Sequence, residues 1–485
     1  MFIGRETELK DLKNLWRRSA ASLVTVRGRR RIGKSTLIEE FARRNRVKFV
    51  KIEGVHPEEG VTNETQLENF ARMLAAQTGK TYEPLTKWFD AFKRLDECFG
   101  PREKAVLLLD EISWMGKYDP MFTGNLKIAW DNWFSKKPKL IMFLCGSVSS
   151  WIDKHILTNT GFVGRPTMRM DLRELSMRES YEFWKVRNSG ASVQEVVDVL
   201  SVVGGVPKYL EDVDPLATAD ENIGRMCFSP DGLLVKEFDE MFNDSMEEGL
   251  AVRKKLLTAL RDGPLDMTEL ANVCGMDPSG YVTANLKALE AAGFVSCDEG
   301  FNPVNGKRLK SPRYRICDNY VRFYLKYIEP NRPLIEKGAF LFSSIEQLPG
   351  LSAFLGLQFE TLVNANLSTL MGELGLGRTL LVSAAPYSQR KTQRTKGCQI
   401  DLLIQTDSAI HVVEVKRRER VDEDVIGEVK EKVRRLKVRR GVSMFPELVY
   451  AGNISKRIEA VGYFRRIVSA EDLLGVDASH VIDYI

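Results

Sequence analysis

The residues best suited to chemistry near the start of the chain form a glycine-rich loop. Gly28 to Ser35 matches the pattern G-x-x-x-x-G-K-S/T and follows Ser22 to Val26, an apolar run typical of a buried strand. Apolar residues at helical spacing come next, so the loop leads into a helix N-terminus, where free backbone N–H groups and the helix dipole bind phosphate. We therefore predict an ATP phosphate site built from Gly28, Gly33, Lys34, Ser35 and Thr36, in which Ser35 also binds Mg²⁺.

Two further apolar runs end in polar residues. Val106 to Leu109 is typical of a parallel strand buried on both faces, and Asp110 and Glu111 follow it. We expect Asp110 to hold Mg²⁺ through water and Glu111 to polarise the attacking water. The run Leu140 to Cys145 leads to Ser147, a candidate γ-phosphate sensor at the same sheet edge, although an ordinary turn explains it almost equally well.

Two other segments narrow the kind of P-loop protein that the N-terminal part resembles. They are Phe2 to Leu9, which reads F-I-G-R-E-T-E-L, and Gly204 to Pro207, which reads G-G-V-P. With the arginine-rich loop and the acid pair, they resemble the archaeal and bacterial P-loop ATPases related to signal-transduction ATPases with numerous domains and to origin-recognition ATPases. The resemblance implies that the segment around Arg5 covers the nucleotide base. It also implies that Pro207 lies near the adenine at the start of a helical lid and that Arg165 senses the γ-phosphate. Helix breaking and a surface salt bridge would explain Pro207 and Arg165 without a ligand.

A second set of chemically capable residues lies in the last third of the chain. Gln399 to Ile404 reads as a strand that carries Asp401, and Ile410 to Lys416 reads as a second strand, joined to the first by a turn. Residues two apart on a strand share a face, so Glu414 and Lys416 project together and Asp401 can lie alongside them. Such a group could bind Mg²⁺ or Mn²⁺ and stabilise an attacking hydroxide.

This arrangement resembles the PD-(D/E)XK nuclease superfamily, with Asp401, Glu414 and Lys416 at the positions of its motif. Glu360, in a helix-like segment upstream, matches the acidic residue that many members carry on a preceding helix. Ile400 stands where the motif has proline. The resemblance implies metal-dependent phosphodiester cleavage, and a retained fold without cleavage is the alternative.

Between these two regions, the pattern predicts a helix-turn-helix. Three short helices fall between Val252 and Ala292, and the segment from Phe294 to Ile316 can form a hairpin with Lys307, Arg308 and Lys310 at its tip. This looks like the winged helix that the resembled ATPases carry after the lid. In the third helix we expect Val282, Leu286 and Leu289 to face inward and Tyr281, Thr283, Asn285 and Lys287 to point elsewhere. DNA binding is favoured, and an interaction or autoinhibitory module is the alternative.

A second basic run, Val429 to Arg440, is predicted to be a helix whose basic face tracks the phosphate backbone.

Composition excludes several classes of site. The seven cysteines include no C-x-x-C pair and no two of the four histidines have metal-ligand spacing, which argues against a disulfide framework, a zinc site and serine or cysteine triads. With 44% hydrophobic residues and no apolar run near the ~18 needed to cross a bilayer, we expect a folded cytoplasmic protein without a membrane partner.

The 485 residues exceed the size of one ordinary domain, so we predict an α/β multidomain chain. Its predicted parts are a P-loop NTPase core with a parallel sheet at 1–175, a helical lid at 176–245, a winged helix at 246–330 and an α/β restriction-endonuclease-like domain at 331–485. The predicted function is an ATP-binding and ATP-hydrolysing switch that controls DNA binding and Mg²⁺-dependent cleavage.

The alternatives are an ATP-dependent DNA-binding regulator or remodeller with a non-cleaving clamp, and an ATPase that acts on protein partners. A homo-oligomer, in which Arg165 acts on a neighbour's nucleotide, and a monomer are both compatible with these residues.

Overall fold

The computed structural model describes residues 2–79, 81–146, 149–245, 249–389, 391 and 396–476. The chain forms two compact units, Met1–Glu174 and Leu175–Ile485. Ser147, the expected γ-phosphate sensor, lies outside the described residues.

The first unit is built on a parallel sheet of strand order β2-β3-β4-β1-β5. A 3₁₀ turn at Phe134–Lys136 and a π-helical turn at Asp153–Leu157 complete it. In chain order its helices and strands are α1 Glu6–Leu15, β1 Ser22–Arg27, α2 Lys34–Asn45, β2 Lys48–Glu53, α3 Asn63–Thr78, α4 Trp88–Asp96, β3 Ala105–Asp110, α5 Ile112–Met115, α6 Phe122–Asn132, β4 Leu140–Cys145, α7 Ser149–Ile152 and β5 Met168–Asp171.

The apolar runs predicted as strands form the centre of this sheet. Strands β3 and β4 are buried along their whole length, because helices cover both faces of the sheet. Helices α1 and α2 pack on one face, and α3, α4 and α6 pack on the other. Strand β4 lies between β1 and β3, so the loop after β1 and the acids after β3 meet at one edge of the sheet.

The second unit is a longer series of elements with several short 3₁₀ or π turns between α16 and α18. In chain order its helices and strands are α8 Met177–Lys185, α9 Val193–Val203, α10 Pro207–Asp212, α11 Ala219–Cys227, α12 Leu233–Ser245, α13 Leu250–Leu260, β6 Leu265–Asp266, α14 Met267–Cys274, α15 Gly280–Ala291, β7 Val295–Asp298, β8 Arg313–Ile316, α16 Asn319–Phe323, α17 Arg332–Glu336, α18 Leu351–Ala365, α19 Leu367–Glu373, β9 Leu381–Gln389, β10 Cys398–Thr406, β11 Ala409–Val421, α20 Asp424–Arg435, β12 Ser443–Ile454, α21 Lys456–Val461, β13 Arg466–Ser469 and α22 Ala470–Leu474.

Helices α13 to α15 precede a small antiparallel sheet of strand order β6-β8-β7. Val282, Leu286 and Leu289 of α15 are buried, as the helical spacing predicts. The expectation that Asn285 points away from this core is wrong. Its side chain is only 4% exposed, accepts a 2.9 Å hydrogen bond from Arg253 Nε and donates a 3.0 Å bond to the Tyr281 carbonyl, so it ties α15 to α13.

The C-terminal sheet is mixed, with strand order β13-β12-β11-β10-β9. Strands β9, β10 and β11 are antiparallel, whereas β11, β12 and β13 are parallel. Helix α18 packs in the apolar cluster on one face and α20 in the cluster on the other face. The predicted helix Val429 to Arg440 is wrong at its end: α20 stops at Arg435, because Leu436 turns into the core.

A continuous apolar cluster links α8 to α16 with α18 and one face of the mixed sheet. The segments predicted as lid and winged helix therefore share a core with the segment predicted as a nuclease-like domain. None of the helices in the described ranges is both long and apolar enough to cross a bilayer.

Candidate functional sites

The glycine-rich loop depends on two backbone conformations that favour glycine. Gly28 has φ 147° and Gly33 has φ 83°. A Cβ atom on Gly28 would lie 2.4 Å from the Leu172 carbonyl oxygen, so a side chain there collides with backbone. The second glycine turns the loop into α2, which begins at Lys34.

Lys34 and Ser35 point into the loop and toward the acid strand. Lys34 is 7% exposed, and its ammonium donates to the carbonyl oxygens of Gly28 and Arg29, each at 3.0 Å. Phosphate oxygens are stronger acceptors than these carbonyls, so the ammonium is suited to a phosphate group. Ser35 Oγ donates to Asp110 Oδ2 at 2.5 Å, which brings together two hard oxygen ligands of the kind that Mg²⁺ prefers. The residues therefore fit Mg²⁺-ATP, and Thr36 is exposed beside them.

Lys51 of β2 is a charged neighbour that the sequence reading missed. Its Nζ lies 3.2 Å from Asp110 Oδ2, 3.2 Å from Glu39 Oε1 and 3.4 Å from Glu53 Oε2. Burial lowers the pKa of Lys51, but the charges of Asp110 and Glu53 outweigh burial and raise it overall. No local sequence signal could have found this contact, because it depends on β2 pairing with β3.

Two other predicted residues of the first unit also lie near the loop or the sheet edge. Glu111 follows β3 and has a left-handed backbone, with φ 46°. Its carboxylate lies close to Gly146, the residue after β4, because a Cβ atom built on that glycine would be 3.8 Å from Glu111 Oε2. The Arg5 guanidinium is buried and donates to the carbonyls of Ile32, at 3.1 Å, and Arg173, at 2.7 Å. The Arg5 side chain therefore stabilises the glycine-rich loop by a hydrogen bond to the backbone of Ile32. The contact of the Arg5 segment with the nucleotide base stays a prediction.

Arg165 is engaged in an ion pair. Its guanidinium donates to both carboxylate oxygens of Asp131, at 2.7 and 2.8 Å, and this hydrogen bonding lowers the pKa of Asp131 to about 2. The salt bridge named as the alternative is therefore present, and the γ-phosphate role of Arg165 stays a prediction. Pro207 is the first residue of α10 in the second unit, and its adenine contact stays a prediction.

The second candidate site lies on the mixed sheet. Leu402 pairs with Val413 across β10 and β11, so Asp401 and Glu414 are cross-strand neighbours one position further. Asp401 is 7% exposed and Glu414 is fully buried. Asp401 Oδ2 accepts a 2.8 Å hydrogen bond from the Val415 backbone N–H, which fixes its carboxylate beside β11.

Glu360 of α18 belongs to the same electrostatic group. Burial, together with the negative charge of Asp401, raises the pKa of Glu360 to about 8. Burial and the charge of Glu414 raise the pKa of Asp401 to about 6, although Lys432 opposes this rise. The negative charges of these acids therefore raise each other's pKa, and nearby positive charge only partly offsets this effect.

Two lysines supply that charge. Lys416 Nζ lies 2.7 Å from Glu414 Oε1 and 2.7 Å from Glu428 Oε2. Lys432 of α20 donates to both oxygens of Glu414, at 2.7 and 2.6 Å, and its Nζ is 3.9 Å from Asp401 Oδ1. The structure thus brings together the four predicted residues and one that was not singled out.

Lys432 carried a sequence signal. It lies three residues after the buried Val429 and seven after the buried Val425, so helical spacing directs it to the inner face of α20. Because Lys432 lies within the basic run Val429 to Arg440, it was interpreted as part of an exposed basic face.

The donor set limits how a metal ion could be held. Within the described ranges, no three His, Cys, Asp or Glu residues are grouped so as to hold a metal ion. Asp401 and Glu414 offer two carboxylates, and Mg²⁺ is commonly bound by one or two carboxylates with water and substrate phosphates completing its shell. The pair therefore fits Mg²⁺ that is shared with a phosphate group.

Comparison with known proteins places the N-terminal part in a family. Residues 2–213 match the ATPase domain described as predominantly from Archaea. The chain is similar to the uncharacterized protein MJECL04 of Methanocaldococcus jannaschii, with 27% identity over 437 residues that cover 88% of this chain and 89% of that protein. It is also similar to the uncharacterized ATP-binding protein MJ0423 of the same organism, with 38% identity over 52 residues, 11% of this chain and 88% of that protein.

Among solved structures, the chain is similar in fold to the Walker-type ATPase PABY2304 of Pyrococcus abyssi. The TM-score is 0.50 at 17% identity, over 67% of this chain and 96% of that protein. This similarity supports the parallel-sheet α/β fold predicted for the N-terminal part.

Proposed function

The chain belongs, through residues 2–213, to the family of ATPase domains found predominantly in Archaea, and on that basis we propose that it is an ATP-dependent switch acting on DNA. In this proposal the first unit binds and hydrolyses ATP, and the second unit binds DNA and cleaves its phosphodiester backbone with Mg²⁺. The observation that carries the second part is the group of Asp401, Glu414 and Lys416 on adjacent strands.

In the first unit, Lys34 binds the terminal phosphates, and Ser35 and Asp110 hold Mg²⁺, which neutralises phosphate charge when it is bound. Glu111 orients the attacking water. The 2.5 Å hydrogen bond from Ser35 to Asp110 supports these roles, because it already joins the two residues that would share the metal ion.

In the second unit, Asp401 and Glu414 hold Mg²⁺, which polarises the scissile phosphate when it is bound. Lys416 stabilises the negative charge that develops as hydroxide attacks. Burial and the charge of Asp401 raise the pKa of Glu360 to about 8, so this carboxyl is mostly protonated at neutral pH before a metal ion binds and does not add negative charge to the site.

The DNA-binding part of the proposal assigns α13 to β8 as a winged helix. The order helix, strand, helix, helix, strand, strand and the sheet order β6-β8-β7 support this assignment. Tyr281 and Lys287 are exposed on α15, and the basic residues at the hairpin tip are exposed as well.

Within the second unit, α9, which falls inside the segment that matches the ATPase family, contacts both the helix and the strand of the carboxylate site. Gln358, two residues before Glu360 on α18, is fully buried and donates to the Ser201 carbonyl of α9 at 2.6 Å. Asp198 of α9 forms an ion pair with Arg417, the residue after Lys416. A nucleotide can shift the state of the site through such contacts only if it binds one arrangement of the chain better than another.

The test uses the full chain with linear, branched and single-stranded DNA, Mg²⁺ and ATP. We expect Asp401→Asn to reduce cleavage by roughly a hundredfold or more while ATP hydrolysis persists, because the amide can still accept the Val415 hydrogen bond but is a poor metal ligand. Lys34→Ala should abolish ATP binding and change the ATP response of cleavage. Asp407→Asn, in the exposed turn between β10 and β11, is the matched control. Cleavage that survives Asp401→Asn contradicts the proposed nuclease.

A second candidate function, DNA binding without cleavage, is favoured by one observation. Glu414 is already neutralised by two lysines, so a metal ion must compete with both. This function predicts gel shifts that respond to ATP, with intact DNA in every metal tested.

A further inference from the structure

We infer that the hairpin between β7 and β8 and the loop after α20 form one basic surface that binds the phosphate backbone of a nucleic acid beside the carboxylate site. We call this the hairpin–loop surface, and it comprises residues 303–310 and 436–442. The inference rests on the proposed function, which it deepens by naming where the substrate is held.

Two contacts join these distant segments. The Arg439 backbone N–H donates to the Pro303 carbonyl at 3.3 Å. Leu309 of the hairpin and Val438 of the loop pack against the same apolar cluster, to which Leu436 belongs. The hairpin is therefore seated on the C-terminal sheet and does not extend freely from its own small sheet.

The charges of the surface come from both segments. Among the described residues, no carboxylate lies within ion-pair distance of five exposed basic side chains: Lys307 and Lys310 of the hairpin and Lys437, Arg439 and Arg440 of the loop. Neighbouring basic residues differ, since Arg308 pairs with Glu299 at 2.6 Å and Arg434 pairs with Glu431 at 2.5 Å. Like charges gathered on one surface repel each other, and a polyanion relieves that repulsion.

The surface leads to the carboxylates from two sides. Arg315, on the strand that follows the hairpin, is buried, and its charge opposes the rise in the pKa of Glu360. Lys432, on the helix that precedes the loop, contacts Glu414 directly. The strand and the helix that join this surface to the carboxylate group therefore each carry a basic residue that acts on one of its acids.

Charge and composition fit phosphate better than an acidic protein. The exposed groups of the surface are lysine and arginine ammonium and guanidinium ions, which bind phosphate oxygens and release condensed counterions. An acidic protein partner would also need several apolar contacts at the core of the interface. Leu309 and Val438 are turned into the molecule, and Val304, at 45% exposure, is a single apolar side chain among the exposed basic ones.

The test measures DNA binding by the full chain in EDTA, with a fluorescein-labelled duplex and fluorescence anisotropy over a range of salt concentrations. The variants are a hairpin pair, Lys307→Ala with Lys310→Ala, a loop pair, Arg439→Ala with Arg440→Ala, and all four together. The control pair is Arg187→Ala with Lys337→Ala, which removes the same charge from exposed positions elsewhere in the second unit.

We expect each surface pair to weaken binding roughly tenfold and to reduce the slope of log K against log salt by about two, since each phosphate contact contributes about 0.9. The quadruple variant should show the sum of both losses, and the control pair should stay within about twofold of the wild type. All variants should keep the wild-type melting temperature, because the side chains are exposed.

Equal losses in the control pair, unchanged slopes in the surface pairs, or no DNA binding by the wild type would overturn the inference. Polyglutamate that competes as well as DNA would assign the surface to an acidic protein and would also overturn it. The proposed nuclease is tested separately. If the surface pairs lower the salt slope of DNA binding but the wild-type chain never cuts DNA, the result supports the surface alone. If the wild-type chain cuts DNA but the surface pairs leave the salt slope unchanged, the result supports the nuclease alone.

Discussion

Lys432 Nζ lies 2.7 and 2.6 Å from the two carboxylate oxygens of Glu414, a side chain that is fully shielded from solvent. Lys416 reaches the same carboxylate from the strand itself, at 2.7 Å. A buried carboxylate with two ammonium partners from two elements ties α20 to β11 by charge, because loss of one partner leaves part of its charge uncompensated.

Lys432→Met should therefore destabilise the second unit. We expect a loss of about 2 kcal/mol in the free energy of unfolding at pH 7, because Glu414 keeps only one of its two ammonium partners. The same change should raise the pKa of Asp401 above about 6, since Lys432 opposes that rise. Urea unfolding measures the first effect and carboxyl-carbon NMR the second. Lys430→Met, at an exposed position of the same helix, is the control, and an equal loss there would contradict the prediction.

The acids of the site should make the protein less stable as pH rises. The pKa of Glu360 is raised from 4.5 to about 8 and that of Asp401 from 3.8 to about 6, so the folded state binds more protons than the unfolded state between those values. The associated stability is present below about pH 4 and is lost as pH rises through 6 and then 8.

Glu360→Gln should flatten this dependence and stabilise the chain by about 2 kcal/mol at pH 8, because the amide carries no charge to bury. Urea unfolding at pH 5, 6.5 and 8 without divalent metal measures the effect. Glu346→Gln, at an exposed position before α18, should leave the profile unchanged. A Glu360→Gln profile parallel to that of the wild type would refute the prediction.

Gly28→Ala should disable the phosphate loop. Its Cβ would lie 2.4 Å from the Leu172 carbonyl at a φ of 147°, so either the loop or the strand end must shift. We expect a loss of about 2 kcal/mol in stability and at least a tenfold weaker binding of a fluorescent ATP analogue. Gly124→Ala in α6, where a Cβ meets open space, should instead be neutral or stabilising by up to about 1 kcal/mol. Unaltered nucleotide affinity in Gly28→Ala would count against the assigned loop.

Lys51→Met should lower the Mg²⁺ concentration that gives half-maximal ATP hydrolysis. The Lys51 ammonium lies 3.2 Å from Asp110, so it repels a cation that approaches this carboxylate. We expect a several-fold decrease, measured by Mg²⁺ titration at fixed ATP. Lys48→Met, on the same strand but paired with Glu103, is the control. An unchanged or higher half-saturation point would show that Lys51 does not act on the metal ligand.

Local patterns predicted the elements that carry the chemistry. The glycine-rich loop, the buried strand before Asp110 and the hairpin that joins Asp401 to Glu414 all follow from spacing within short segments. Lys51 escaped prediction because its contact arises from pairing of β2 with β3, strands that are 52 residues apart at their closest. Asn285 escaped because its partner Arg253 lies on another helix, so its burial depends on tertiary packing.

Helix α9 belongs to the ATPase family segment by sequence and to the second unit by packing. It falls inside the segment that matches the ATPase family, yet Val196, Val197 and Leu200 belong to the core of the second unit, and Ser201 receives the Gln358 hydrogen bond. A gene fragment that ends at residue 213 would expose this apolar face, and a recombination event at that point would separate α9 from the surface that covers it. The burial of α9 therefore depends on residues that follow the family match, and a fragment of the chain that stops at residue 213 should be prone to aggregation.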